Sequence, residues 1–129
     1  NNIKLAIKYK LDGIYIPAFN KQINFIKYLL PRNFKVIGSA HNNIEILIKQ
    51  KQGCKTIFLS PIFKVKKRNY FLDIIKFNLL TLNKKIKFIA LGGIGRRNMS
   101  RLKLLSICGF AGISYFQKKT ASQGGRLNN

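Results

Sequence analysis

Short apolar runs rich in β-branched and aromatic residues alternate along this chain with stretches in which apolar residues recur every three or four positions. The short runs are Gly13-Ile14-Tyr15-Ile16, Lys35 to Gly38, Thr56-Ile57-Phe58-Leu59, Phe88-Ile89-Ala90-Leu91 and Gly109 to Ser114, and each reads as a strand. Helical spacing appears in Ile3 to Leu11, in Ile23 to Leu30 with a stop at Pro31, within Leu72 to Leu82, and from Asn98 to Ile107. Strand and helix signals thus succeed one another at intervals of about 20 to 30 residues, the cadence of a βα barrel or a doubly wound parallel sheet.

The stretch from Lys35 to Phe63 states the repeating unit most clearly. Val36 and Ile37 open an apolar run that stops at Gly38-Ser39-Ala40-His41. Asn42 or Asn43 then caps a helix by accepting a hydrogen bond from one of its unpaired N–H groups. In that helix Ile44, Leu47 and Ile48 recur at helical spacing and predict its apolar face. Gly53 supplies the positive φ that ends it. Thr56 to Leu59 is then continuously apolar and stops at Ser60-Pro61, the pattern of a parallel strand buried on both faces.

Three motifs, Gly38-Ser39-Ala40-His41-Asn42, Phe58-Leu59-Ser60-Pro61-Ile62-Phe63 and Ile89-Ala90-Leu91-Gly92-Gly93-Ile94, stand in this order at strand ends. In this they resemble the thiamine-phosphate synthase and thiazole tautomerase family, TIM-barrel enzymes of thiamin biosynthesis. Pattern alone leaves a flavodoxin-like open sheet possible. The resemblance decides for an α/β fold that is a partial (β/α)8 barrel, with these strands as the fourth to eighth. It implies a barrel portion over residues 1–116. A polar tail over 117–129, which contains Gly124-Gly125 and lacks apolar periodicity, reads as disordered.

Length bears on this picture. The chain has 129 residues and does not begin with Met, whereas a complete barrel takes roughly 250. A fragment or truncated reading frame lacking three N-terminal strands is therefore expected. Such a piece would present two unpaired edges and an open core, so by itself it should fold poorly or self-associate.

Charge is the most unusual feature of the composition. There are 25 Lys plus Arg against 3 Asp plus Glu, giving a formal net charge of +22. Such a charge concentrates polyanions near the surface, nucleic acid included, without sequence specificity. Abundant Lys, Asn, Ile, Phe and Tyr equally fit an A/T-rich coding bias, and the lysines are spread over every segment. Cys54 and Cys108 match no metal or redox spacing and read as buried thiols of a reducing compartment. No apolar run approaches the ~18 residues of a membrane span and no signal-peptide architecture is visible, so a soluble cytoplasmic protein is expected.

Barrel sites gather at the C-terminal strand ends. That rule selects Pro17 to Asn20, Ser39 to Asn42, Ser60 to Arg68, Gly92 to Gly95 and Ser114 to Gln117. His41 is the only histidine, and an imidazole titrating near neutrality suits proton transfer at a ring carbon. It reads either as a loop histidine or, by the resemblance, as the proton-shuttling residue of the thiazole tautomerases. Gly92-Gly93 either forms a turn needing positive φ or lets backbone N–H groups approach an anion. The resemblance places Gly93 against the thiazole phosphate and makes Ser39 a substrate hydrogen-bonding residue. Arg68 stands where the family has a phosphate-binding lysine, within a run of Lys64, Lys66, Lys67 and Arg68 that could equally be a solvated loop. Val65 and Lys67 stand where hydroxyls are expected. At the eighth strand, Phe116 and Gln117 replace an apolar-then-serine pair that helps bind phosphate.

The metal positions depart further. The synthases hold Mg²⁺ through two aspartates, and these positions carry Asn1 and Asn20 here. An amide brings no negative charge to a hard cation, so Mg²⁺ binding is expected to be weak, and Asp12, Glu45 and Asp73 fall at no matching position. The resemblance implies coupling of a pyrimidine pyrophosphate to a thiazole phosphate with release of pyrophosphate. A Mg²⁺-independent thiazole tautomerase using His41, or a degenerate barrel that binds polyanions, are the alternatives.

Overall fold

A computed structural model of the chain describes residues 8, 12–23, 30–31, 33–106 and 109–111. It shows an α/β fold built on one parallel sheet. The strands are β1 (Gly13–Ile16), β2 (Lys35–Ala40), β3 (Thr56–Leu59), β4 (Lys87–Leu91) and β5 (Gly109–Ala111). They lie in chain order β1-β2-β3-β4-β5, every neighbouring pair parallel. This meets the expectation of sequential strands, and no reversal of order marks a doubly wound sheet. Two α-helices, α1 (Asn43–Lys51) and α2 (Asp73–Thr81), and a 3₁₀ helix (Met99–Leu104) connect the later strands. The expected first two helices and the tail lie outside the described residues, apart from isolated positions.

The register sorts the sheet into two unlike faces. Gly38 pairs with Ile16 and Ile57, and Leu59 with Ala40 and Ala90, so Ile16, Val36, Ala40, Ile57, Leu59, Phe88 and Ala90 share one face. All seven are buried and join Ile46 of α1, Ile74 and Phe77 of α2 and Leu102 of the 3₁₀ helix in one core. The alternate positions Ile37, Thr56, Phe58, Ile89 and Leu91 are only partly buried, and Tyr15 is exposed. The expectation that β3 is buried on both faces is thus corrected: helices cover one side, and the described residues leave the other half-covered.

β2 continues two residues past its expected stop, through Ser39 and Ala40. Gly38 is there because of a close approach rather than a turn. A Cβ on it would lie 2.6 Å from Lys49 Cδ and 2.8 Å from Cys54 Sγ.

That contact also explains why the expected face of α1 is wrong. Asn42 caps the helix as expected, its side chain accepting from the Glu45 N–H at 2.9 Å. Yet Ile44 is 70% and Leu47 46% exposed, while Ile46 and Lys49 are fully buried. Lys49 lays its stem over Gly38 and Cys54 and donates from Nζ to Asn20 O and Gln52 Oε1, both at 2.7 Å. Gln52 Nε2 donates in turn to Asn20 O and Gln22 O, both at 2.8 Å. Burial pushes the Lys49 ammonium below its ordinary pKa, with Cys54 and Glu45 acting in the opposite direction. A lysine satisfied this way belongs to the core, and a binary apolar count excludes it. α1 ends as expected, with Gly53 at φ 88°.

The helix expected from Asn98 to Ile107 is a shorter 3₁₀ turn. Asn98 does not cap it. Its side chain turns back to accept from Gly95 N–H at 2.9 Å and donate to Gly93 O at 2.8 Å. At the far end Asn78 of α2 accepts from Ser106 N–H and donates to Leu104 O, both at 2.9 Å, drawing the chain out of helix. Cys54 is buried, as expected of a structural thiol. Cys108 lies outside the described residues. Among those residues no helix is long and apolar enough to cross a membrane.

Candidate functional site

Because all the strands are parallel, the segments after their C-terminal ends gather at one end of the sheet. Four such segments are described: Pro17 to Asn20 after β1, His41-Asn42 after β2, Ser60 to Arg68 after β3 and Gly92 to Gly95 after β4. Ser39, His41, Arg68, Gly92 and Gly93 therefore all belong to this end. Phe116, Gln117 and Ser114 lie outside the described residues, as does Asn1.

Ser39 is buried on the half-covered face, in register with Phe58 of β3. His41 follows at the turn into α1 and is held twice by one carboxylate. Its backbone N–H donates to Glu45 Oε2 at 2.6 Å, and its Nδ1 lies 3.0 Å from the same oxygen. Glu45 sits in the first turn of α1, where the helix dipole favours a negative charge. The signal is present in the sequence as a cap residue followed three positions later by Glu, although motif and strand-end position alone give Glu45 no part in the site.

The loops after β3 and β4 pack on one another. Ile62 N–H donates to Leu91 O at 2.9 Å and Phe63 N–H to Gly92 O at 3.1 Å. Gly93 has φ 73°, and a Cβ on it would lie 2.5 Å from Phe63 O. The turn therefore requires glycine for its backbone alone, whatever it binds. Asn98, absent from the expected site, braces the same turn through Gly93 O and the Gly95 N–H.

Lys64 to Arg68 forms a tight reversal, with Val65 and Arg68 bridged and Arg68 N–H donating to Val65 O at 3.3 Å. Lys64, Lys66, Lys67 and Arg68 are exposed, as are Arg96 and Arg97 after β4. Neither of the two ion pairs among the described residues involves them. Those are His41–Glu45 and Arg101–Asp73, the latter at 2.7 Å. This end of the sheet is thus strongly cationic.

The described donors fit Mg²⁺ poorly. Asn20 Oδ1 already accepts from Gln22 N–H at 3.0 Å, and the buried Lys49 ammonium sits on Asn20 O. Asp73 is engaged by Arg101 and by the Ile74 N–H at 2.8 Å, and Glu45 by His41. No group of three or more His, Cys, Asp or Glu placed to hold a metal occurs among the described residues.

Comparison with known proteins agrees with this architecture. The sequence matches the family described as thiamine monophosphate synthase over residues 1–116. A thiamine-phosphate synthase of Prochlorococcus marinus subsp. pastoris is 34% identical over 106 residues, 80% of this chain and 30% of the relative. A putative thiamine-phosphate synthase 2 of Aquifex aeolicus is 31% identical over 114 residues, 87% of this chain and 61% of the relative. The chain thus spans less than two thirds of the length of these curated relatives. A solved structure, thiamine phosphate pyrophosphorylase from Pyrococcus furiosus, superposes with a TM-score of 0.65 at 21% identity, covering 84% of this chain and 52% of that one.

Proposed function

The chain belongs to the thiamine monophosphate synthase family, and on that premise we propose that the whole protein couples a hydroxymethylpyrimidine pyrophosphate to a thiazole phosphate, releasing pyrophosphate. The family match over residues 1–116 carries this reading. The sequential parallel order supports a βα barrel in which these five strands are the fourth to eighth, their half-covered apolar face turned to the barrel interior. In that arrangement the C-terminal strand ends hold the substrates.

Roles follow from chemistry at that end. The Gly92-Gly93 turn offers backbone N–H groups to the thiazole phosphate without a side chain in the way, and Arg68 with the neighbouring lysines attracts the pyrophosphate. Ser39 hydrogen-bonds the thiazole, and Phe116 and Gln117 take the family's sequence positions that help bind phosphate. His41 stands at the same end, and its proton-transfer role belongs to the second reading below. Ionisation of the pyrimidine pyrophosphate breaks its C–O bond, the leaving pyrophosphate keeps the electron pair, and the thiazole nitrogen captures the carbocation. Since Asn20 fits Mg²⁺ poorly, Lys64, Lys66, Lys67 and Arg68 are cations on this end that can oppose the leaving-group charge.

One observation favours a second reading. The His41–Glu45 pair at 3.0 Å is an acid–base arrangement that carbocation capture does not need, and it suits metal-independent thiazole tautomerisation. An assay of the whole protein with both precursors, with and without Mg²⁺, beside Asn20→Asp and His41→Ala, tests the proposal. Coupling that survives chelation and is raised by Mg²⁺ only in Asn20→Asp is expected. Strong Mg²⁺-dependent coupling by the unsubstituted protein contradicts the account of Asn20, and tautomerisation without coupling, abolished in His41→Ala, selects the second reading.

A further inference from the structure

We propose that Glu45 is the positioning residue for His41, locking its imidazole in the Nδ1–H tautomer and leaving the Nε2 lone pair as the atom that takes the proton. One carboxylate oxygen, Glu45 Oε2, lies 2.6 Å from His41 N and 3.0 Å from His41 Nδ1. An ionised carboxylate only accepts hydrogen bonds. A neutral imidazole facing it must therefore carry its proton on Nδ1, and the backbone N–H beside it fixes the ring's distance from the oxygen. No hydrogen bond to another described residue engages Nε2.

The start of α1 sets the geometry of the pair. His41 immediately precedes Asn42, the cap of α1, which sets its ring beside the first turn of that helix. Glu45 faces the Nδ1 edge of the ring from that turn, so Nε2 is the nitrogen left to take a proton and return it. Asn42 Oδ1 accepts the Glu45 N–H at 2.9 Å, whereas the Glu45 side chain is held by His41 alone among the described residues. The pair is half-shielded, with side chains 29% and 22% exposed, so water does not fully screen it.

This inference rests on the reading of His41 as a proton-transfer residue, and the two are tested separately. With histidine ¹⁵N-labelled, and the signal assigned by its loss in His41→Asn, the ring nitrogen shifts report the tautomer at a pH where the ring is neutral. A pyrrole-type Nδ1 and a pyridine-type Nε2 are expected in the unsubstituted protein and in Asn42→Ala, which removes the cap but keeps the carboxylate. Glu45→Ala should move the ring to the Nε2–H tautomer. Where that variant does not fold, Glu45→Asp, which shortens the reach by one methylene, should do the same. An Nε2–H tautomer in the unsubstituted protein, or no change on substituting Glu45, overturns the proposal. Turnover that survives His41→Ala would instead remove the catalytic reading of His41 while leaving the tautomer result to judge Glu45.

Discussion

At the scale of single residues, two glycines with positive φ separate conformational strain from close approach. Gly53 has φ 88° and open space within 4 Å of where a Cβ would stand, whereas at Gly93, φ 73°, the same atom would meet Phe63 O at 2.5 Å. Gly53→Ala should cost about 1–2 kcal/mol in urea unfolding, the left-handed penalty alone. Gly93→Ala should cost clearly more, because the loops after β3 and β4 must part, and equal losses would show that the packing of these loops is not as described. Cys54 gives a pH prediction. Burial pushes its thiol from 9.0 to about 11, opposed by Lys49. The folded state therefore keeps a proton that the unfolded state loses, and this stabilisation is complete below pH 9.0 and is lost as pH rises toward 11. Lys49, with its pKa lowered, has the opposite sign, adding stability as pH rises toward 10.5. The thiol is read by difference: Cys54→Ala should remove a component of the alkaline decline on the order of 2 kcal/mol, and parallel profiles would contradict it.

At the scale of elements, α1 supplies the sharpest contrast between what the sequence disclosed and what it did not. Its cap, its end at Gly53 and its place between two strands follow from local chemistry legible in the residues themselves. Its buried face does not, because Lys49 counts as polar until Asn20 O and Gln52 are known to satisfy its ammonium, and these meet it only in the folded chain. The strands were legible for the complementary reason: four of them are apolar runs whose boundaries fall within two residues of the observed ones. For the candidate site, the strand-end positions were readable from motif and cadence, whereas the Glu45 and Asn98 contacts depend on side chains folding back over turns. The corrected face is testable. Ile46→Ala should cost about 2–5 kcal/mol as a core truncation, while Ile44→Gln should stay within about 0.5 kcal/mol. The reverse order would restore the Ile44–Leu47 face.

At the scale of the molecule, a formal charge of +22 sets strong self-repulsion against a core that the described residues cover on one side of the sheet. Raising ionic strength from about 0.1 M to 1 M shortens the Debye length from ~10 to ~3 Å. Tm should therefore rise over that range, and a fall would mean that the few ion pairs outweigh the repulsion. The half-covered face with Ile37, Phe58, Ile89 and Leu91 predicts that these 129 residues alone associate in a concentration-dependent way, read by sedimentation, and that Phe58→Asp weakens the association. The central claim is that the C-terminal ends of the parallel strands form the phosphate-bearing substrate site, and a map of backbone amide shifts on adding the thiazole phosphate tests it most directly. The account predicts that the largest changes fall at Ser39, His41, Gly92 and Gly93 and persist in high salt. Changes scattered over the lysines and abolished by salt, or confined to the opposite strand ends, would contradict it.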